Sequence, residues 1–321
     1  MIRNFAETEG VEVLAVADLS AAKLRVIKTR FPAVHTTTDP YELIRRPTID
    51  VVVIATPVRT HFDLALAAVQ EGKHVFVEKP ITETVEQARR LVEAAANRRV
   101  VLMVDHTFNY TGAVRKMREL VVTGELGNVH YYDTTRINLG LFQHDIDVIW
   151  DLAVHDLSIL DYVVGTGATA VSATGMAHVP GHVENVAYLT VFMGSGMLAH
   201  VNVNWLSPVK IRRTLIGGSR RMVVYDDLEP SEKLKIYDKG ITLTDDPERI
   251  SQMLVGYRTG DMLAPQVSTR EALRVAAEHF VECITTGATP ISDGAAGLRV
   301  VQLCEAATRS MKMRGTPVEI A

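Results

Sequence analysis

The sequence predicts two domains of different class: a doubly wound, parallel α/β domain over residues 1–106, and a second domain over 107–321 built on a large, mostly antiparallel open sheet with flanking helices. Three observations predict this. Up to about residue 105, apolar strand-like runs alternate with amphipathic helical runs, the pattern of a parallel sheet covered on both faces. After residue 110, strand-like runs follow one another with turn residues between them. The chain's 321 residues, 47% hydrophobic and 22% charged, suffice for two ordinary globular cores.

The opening stretch MIRNFAETEGVEVLAVADLS reads as the tail of a helix, a turn at Gly10, and a buried strand from Val11 to Ala17 that ends in Asp18. In a dinucleotide-binding unit the order is strand, glycine-rich turn, helix, second strand and acid, with the acid about 20 residues past the glycines. Counted back from Asp18, that distance falls before Met1, so a first strand and phosphate turn are expected upstream of the printed sequence. A late-placed start codon and a true truncation both remain open at this point.

The following elements have local causes. Ala21–Arg30 places Leu24 and Ile27 on one side of a helix, and Asp39 caps a short helix that has Pro40 at its first position. IDVVVIATP is a continuous apolar strand broken by Pro57; THFDLALAAVQEGKHVFVEKP gives a helix, a stop at Gly72 and a strand over Val75–Val77. Thr84 with Gln87 forms a capping box, and RVVLMVDH is a further strand. Right-handed crossovers bring Asp18, Thr56, Glu78 and Asp105 to one strand-end edge, where ligands bind in such sheets.

Beyond it, a helix around Ala113–Thr123 precedes the strand NVHYYDTTRINLG and the helix WDLAVHDLSILDYVVG. Several hairpin-like runs follow, and MGSGM and IGGSR, lying between strands, read as hairpin turns and not as phosphate loops. Helices over Thr269–Thr285 and Ala295–Arg314, then PVEI, complete the chain.

A formal charge of −4 gives no basic field for nucleic acid or an anionic membrane, so a small-molecule partner is favoured. No run approaches the roughly 18 apolar residues of a membrane span and no secretory pattern opens the chain, which makes a cytoplasmic location the expectation. Cys283 and Cys304 fall at apolar helical positions, as buried free thiols do.

Lys79 ends a strand just before Pro80; it is either a solvated charge or a donor to an oxygen that develops charge during reaction. Asp151 and His155, four apart on one helix, share a face. An exposed pair and a metal pair are the alternatives, but no further ligands occur at a recognisable spacing, so no metal is expected.

Taken together, VIATPVRTHFDLALAAVQEGKHVFVEKPIT, DHTFNYTGAVRKMRELVVTGELGNV and WDLAVHDLSILDYVVG resemble the Gfo/Idh/MocA family of NAD(P)-dependent oxidoreductases over almost the whole chain. The resemblance implies a Rossmann domain followed by an α/β domain, with a sugar or cyclitol bound between them. It implies catalysis by Lys79, His155 and Asp151: His155 removes the hydroxyl proton as hydride leaves the same carbon, a task its ordinary pKa of roughly 6.5 suits. It assigns Asp18, Thr56, Pro57, His61, Glu78, Lys79, Pro80 and Asn109 to the cofactor, and makes Tyr110, Arg136, Asn138, Gln143 and His144 candidates for substrate recognition. The acid common three residues after the family's histidine is Ser158 here. A carboxylate at Asp18 accepts from both ribose hydroxyls and repels a 2′-phosphate, favouring NAD over NADP, although Lys23 and Arg25 lie close in sequence.

The function these features imply is oxidation of a secondary hydroxyl of a sugar, a sugar nucleotide such as a UDP-N-acetylhexosamine or its uronate, or a cyclitol, by a homodimer or homotetramer. Two alternatives come with the family: a non-catalytic cofactor- or sugar-sensing protein, and an NAD-dependent glycoside-cleaving enzyme.

Overall fold

Residues 1–140, 146–165, 167–242 and 256–320 are described by the computed structural model. They divide into two units, Met1–Tyr110 with Arg270–Gln302 and Thr111–Thr269 with Leu303–Ala321. The C-terminal segment thus contributes to both.

In the first unit, α1 (Ile2–Ala6) precedes β1 (Ala15–Ala17), which pairs in parallel with β2 (His35–Thr37). Between them runs α2 (Ala21–Arg30), capped by Ser20, and α3 (Pro40–Ile44) follows with Asp39 accepting from Tyr41 N at 2.9 Å. A second parallel sheet contains β3 (Val51–Ile54), β4 (His74–Glu78) and β5 (Leu102–Asp105), in that order. The crossovers are α4 (His61–Gln70), which stops at Gly72 with φ +75°, and α5 (Val85–Arg98), whose capping Thr84 Oγ1 accepts from Gln87 N at 3.2 Å. These are the elements the alternating pattern predicts, in a Rossmann-like parallel arrangement.

The strand expected from Val11 enters its ladder only at Ala15, where it pairs with the three residues of β2. Among the described residues no strand joins β1 to β3, and residues of both are half-buried where β5 is wholly buried. The core lies beside β4 and β5, where Phe76 packs edge-on against Phe5 and Phe280 at centroid distances of 5.3 and 5.5 Å. Phe280 comes from α8 (Ala272–Thr286), so the returning segment completes this core.

The second unit is a nine-stranded mixed sheet. Its strands are β6 (Val129–Leu139), β7 (Ala168–Met176), β8 (Val186–Met193), β9 (Leu198–Asn204), β10 (Leu206–Gly218), β11 (Met222–Asp226), β12 (Leu234–Tyr237), β15 (Met262–Leu263) and β16 (Val318–Glu319). Their order is β15–β12–β11–β10–β6–β9–β8–β7–β16, and only β6 and β9 pair in parallel. A separate hairpin joins β13 (Gly240–Thr242) to β14 (Gly256–Arg258). Both glycine-rich stretches are hairpin turns as expected: Gly196 has φ +81° and donates to Met193 O, and Gly218 N donates to Arg221 O.

Along β8, buried Ala187, Leu189 and Val191 alternate with more exposed Tyr188, Thr190 and Phe192, so one sheet face is core and the other is not. Helices α6 (Gly112–Val122) and α7 (Val154–Val163) pack on the unit, and α9 (Gly294–Lys312) runs through residues of both units. Cys283 and Cys304 are buried free thiols. No helix among the described residues is long and apolar enough to cross a membrane.

Candidate active site

Parallel pairing carries the carboxyl ends of β3, β4 and β5 to one edge, and Glu78 and Asp105 are register partners there. Thr56 and Pro57 are exposed just beyond β3; Glu78 and Lys79 are half-buried at the end of β4, and the Lys79–Pro80 bond is cis. Behind this edge stands His61, 1% exposed, with Nδ1 2.8 Å from the Pro80 carbonyl oxygen and Nε2 2.8 Å from that of Thr56. The imidazole ties the ends of β3 and β4 together from inside. Substitution His61→Phe strands carbonyl groups in a buried place and is expected to lower stability by roughly 2–4 kcal/mol, read by urea unfolding.

Burial sets the electrostatics of this edge. It raises the Glu78 carboxyl above the ordinary glutamate value. Asp105 is pushed up to about 7, first by burial and then by the neighbouring Glu78 charge, against the Thr107 hydroxyl that donates to its Oδ1 at 2.6 Å. His106 is pushed down to about 3 by burial and by the positive charge of Lys79, so its imidazole is neutral across the physiological range. Both ring nitrogens of His106, and Oδ1 of Asn109, are buried without a hydrogen-bond partner among the described residues. Tyr110, expected to meet substrate, packs in the core: it is 2% exposed, its hydroxyl pairs with Ser292 Oγ at 3.0 Å, and burial raises its pKa.

In the second unit, the segment expected to be one α-helix begins as a π-helical turn, Ile149–Ala153, and becomes α7 at Val154. Asp147 caps the turn, its Oδ1 accepting from Ile149 N at 2.8 Å and Trp150 N at 3.2 Å, while burial pushes its carboxyl up to about 6. π-Turns recur at functional sites because they offset side chains from the α-helical register. Here the turn carries Asp151, whose Oδ2 accepts from the Trp205 indole N–H at 3.1 Å. His155 follows at the head of α7, and its carbonyl accepts from Ser158 Oγ at 2.7 Å.

Arg136, expected to face substrate, is 4% exposed and its Nε donates to Asp156 Oδ2 at 2.6 Å. Burial works against its charge and the Asp156 carboxylate outweighs it, leaving its pKa above the ordinary arginine value. The β6 alternation turns Arg136 to the buried side with Tyr132 and Thr134. Asn138 is half-buried near the strand's end, and Gln143 and His144 lie outside the described residues. Asp147, Trp205 and Asp156 escaped the sequence reading. A tryptophan at a strand end needs an acceptor for its N–H, and an acid on an apolar helix face needs a partner, but neither signal names the partner.

Two family models cover this architecture: the oxidoreductase family's NAD-binding Rossmann fold matches residues 1–106, and its C-terminal alpha/beta domain matches residues 118–320. The chain belongs to the Gfo/Idh/MocA oxidoreductase family. Within the family, it is 26% identical to the scyllo-inositol 2-dehydrogenase (NAD(+)) of Bacillus subtilis, over 97% of this chain and 89% of that protein. It is 30% identical to the UDP-N-acetylglucosamine 3-dehydrogenase of Acidithiobacillus ferrooxidans, over 79% of this chain and 76% of that one. A solved structure of the latter enzyme superposes with a TM-score of 0.80 at 26% identity, covering 97% of this chain and 93% of the other.

The residues present fit the family's NAD at two places. At the end of β1 the Asp18 side chain is 33% exposed, with Oδ1 accepting from Ser20 N at 2.8 Å and Oδ2 lying 3.4 Å from Lys23 Nζ, so a carboxylate oxygen is presented where a ribose diol binds in such folds. Just past β5, the ring nitrogens of His106, which feels the charge of Lys79, and Oδ1 of Asn109 are buried polar atoms without partners among the described residues, a polar setting suited to a carboxamide-bearing ring. A Gly-x-Gly-x-x-Gly phosphate turn is not among these residues.

Proposed function

We propose that the chain is an NAD-dependent dehydrogenase acting on a secondary hydroxyl of a sugar, sugar nucleotide or cyclitol. The observation that carries this reading is the built head of α7, where a capped π-turn and the Trp205 N–H hold Asp151 one turn ahead of His155. A surface pair would need no such support.

In this reading Asp18, Thr56, Pro57, Glu78, Lys79 and Pro80 hold the cofactor, with Asp18 favouring NAD over NADP. Held by these residues, NAD would supply the hydride acceptor. His155 takes the hydroxyl proton, and Asp151 orients His155 or the substrate hydroxyl. The Lys79 ammonium donates to the oxygen as it becomes a carbonyl. Asn138 contributes to substrate recognition. The sugar-nucleotide branch of the substrate class draws support from the similarity to a UDP-N-acetylglucosamine 3-dehydrogenase. A homodimer or homotetramer is part of the same proposal, through the sheet face that carries Tyr188.

The test offers NAD+ with UDP-N-acetylglucosamine, its uronate, scyllo-inositol and myo-inositol, and follows the NADH absorbance. Turnover with one class and a marked preference over NADP+ is expected. A folded protein that binds NAD+ yet reduces none of it with any of these would count for the sensing alternative.

A further inference from the structure

The second unit buries an ion pair directly beside His155. Arg136 Nε donates to Asp156 Oδ2 at 2.6 Å and Nη2 donates to Oδ1 at 3.2 Å, the side chains being 5% and 2% exposed. Thr134 Oγ1 donates to Asp156 Oδ1 at 3.0 Å, and the Tyr132 hydroxyl donates to the Asp156 carbonyl at 3.4 Å. Residues 132, 134 and 136 alternate along β6 and share its buried side. Three neighbours on one strand therefore grip one residue of α7.

Such a pair is poorly explained by stability. Taking two charges out of water cancels most of their attraction, and well-packed apolar replacements of both partners are commonly tolerated. What a bidentate guanidinium–carboxylate contact supplies is direction, because its planar fork allows one orientation. Asp156 is the residue after His155, in the first turn of α7. The turn is otherwise tied by Ser158 to the His155 carbonyl, and Asp156 is the carboxylate that anchors it to the sheet.

We propose that Arg136 and Asp156 are positioning residues for His155: their bidentate contact sets the rotation of the first turn of α7 on β6, and with it the direction of the imidazole. This rests on the reading of His155 as the proton acceptor.

The test uses the full chain, NAD+ and whichever substrate the panel identifies. The double variant Arg136→Met/Asp156→Leu removes the fork without leaving a lone buried charge. Its kcat is expected to fall tenfold to about a hundredfold, since a displacement on the order of 1 Å costs that much, while KM for NAD+ stays within about twofold. The limb of the kcat/KM pH profile that belongs to His155 shifts with it. A folded double variant with wild-type kcat and an unmoved limb overturns the proposal. If that variant does not fold, Arg136→Lys keeps the charge but lacks the fork; a lowered kcat with a shifted limb supports the proposal, and wild-type values overturn it. His155→Asn separates the two readings. If it keeps full turnover, the role of His155 falls and the positioning role with it; if it is inactive while the double variant is not, only the positioning role falls.

Discussion

His155→Asn is expected to lower kcat by about 10²–10⁴-fold, the usual worth of a positioned general base, with NAD+ affinity within about twofold of wild type. The backbone at this place is held independently of the imidazole, by the Ser158 hydroxyl on the His155 carbonyl and by the buried Asp156 that follows. The substitution therefore removes a proton acceptor without unseating the helix. The proposed cofactor residues belong to the first unit, which is why NAD+ affinity is expected to be spared. Lys79→Met is the companion: it keeps the stem and deletes the ammonium, and a loss of similar size is expected. The effects will not add, because residues that act on one proton transfer fail as a unit, so the double variant should be hardly slower than the worse single one. Steady-state kinetics with cofactor titration checks all three. Wild-type turnover in either single variant removes that residue from the mechanism.

How far a sequence exposes such a site depends on the range of the interaction involved. Caps and turns are local: Asp39 with Pro40, Thr84 with Gln87, and Gly72 were readable because cause and effect lie within four residues. The Rossmann-like sheet was readable because alternation of strand and helix leaves few topologies. The antiparallel character of the second sheet was readable for the same reason, though not its nine-strand order. Parity was not readable. NVHYYDTTRINLG alternates polar and apolar residues weakly on both sides, so nothing local says that Tyr132, Thr134 and Arg136 turn inward while Tyr131, Asp133 and Thr135 turn outward. The burial of His61 was not readable for a related reason: its partners, Thr56 O and Pro80 O, are backbone atoms brought together by the sheet, and no side-chain pattern announces them. The π-turn at Ile149–Ala153 has no composition signature, since its residues suit an α-helix equally well.

The Asp105 carboxyl gives a prediction of comparable size that is independent of turnover. Its folded pKa is about 7 against an ordinary aspartate value of 3.8, so between those values the folded chain binds a proton that the unfolded chain has lost. Stability contributed by this group is therefore complete below about pH 4 and falls as pH rises through 7. Three pK units correspond to an upper bound of roughly 4 kcal/mol. The neighbouring Glu78, also raised, works in the same direction, which steepens the loss. Asp105→Asn cannot ionise, and its side-chain oxygen can still accept from the Thr107 hydroxyl that now reaches Oδ1 at 2.6 Å. The variant is expected to match wild type near pH 4 and to exceed it by several kcal/mol at pH 8, read by urea unfolding followed by circular dichroism across that range. Parallel stability curves for the two proteins would show that Asp105 ionises in the folded state as easily as in the unfolded one. In that event, neither burial nor the charge on Glu78 governs the edge where Lys79 stands.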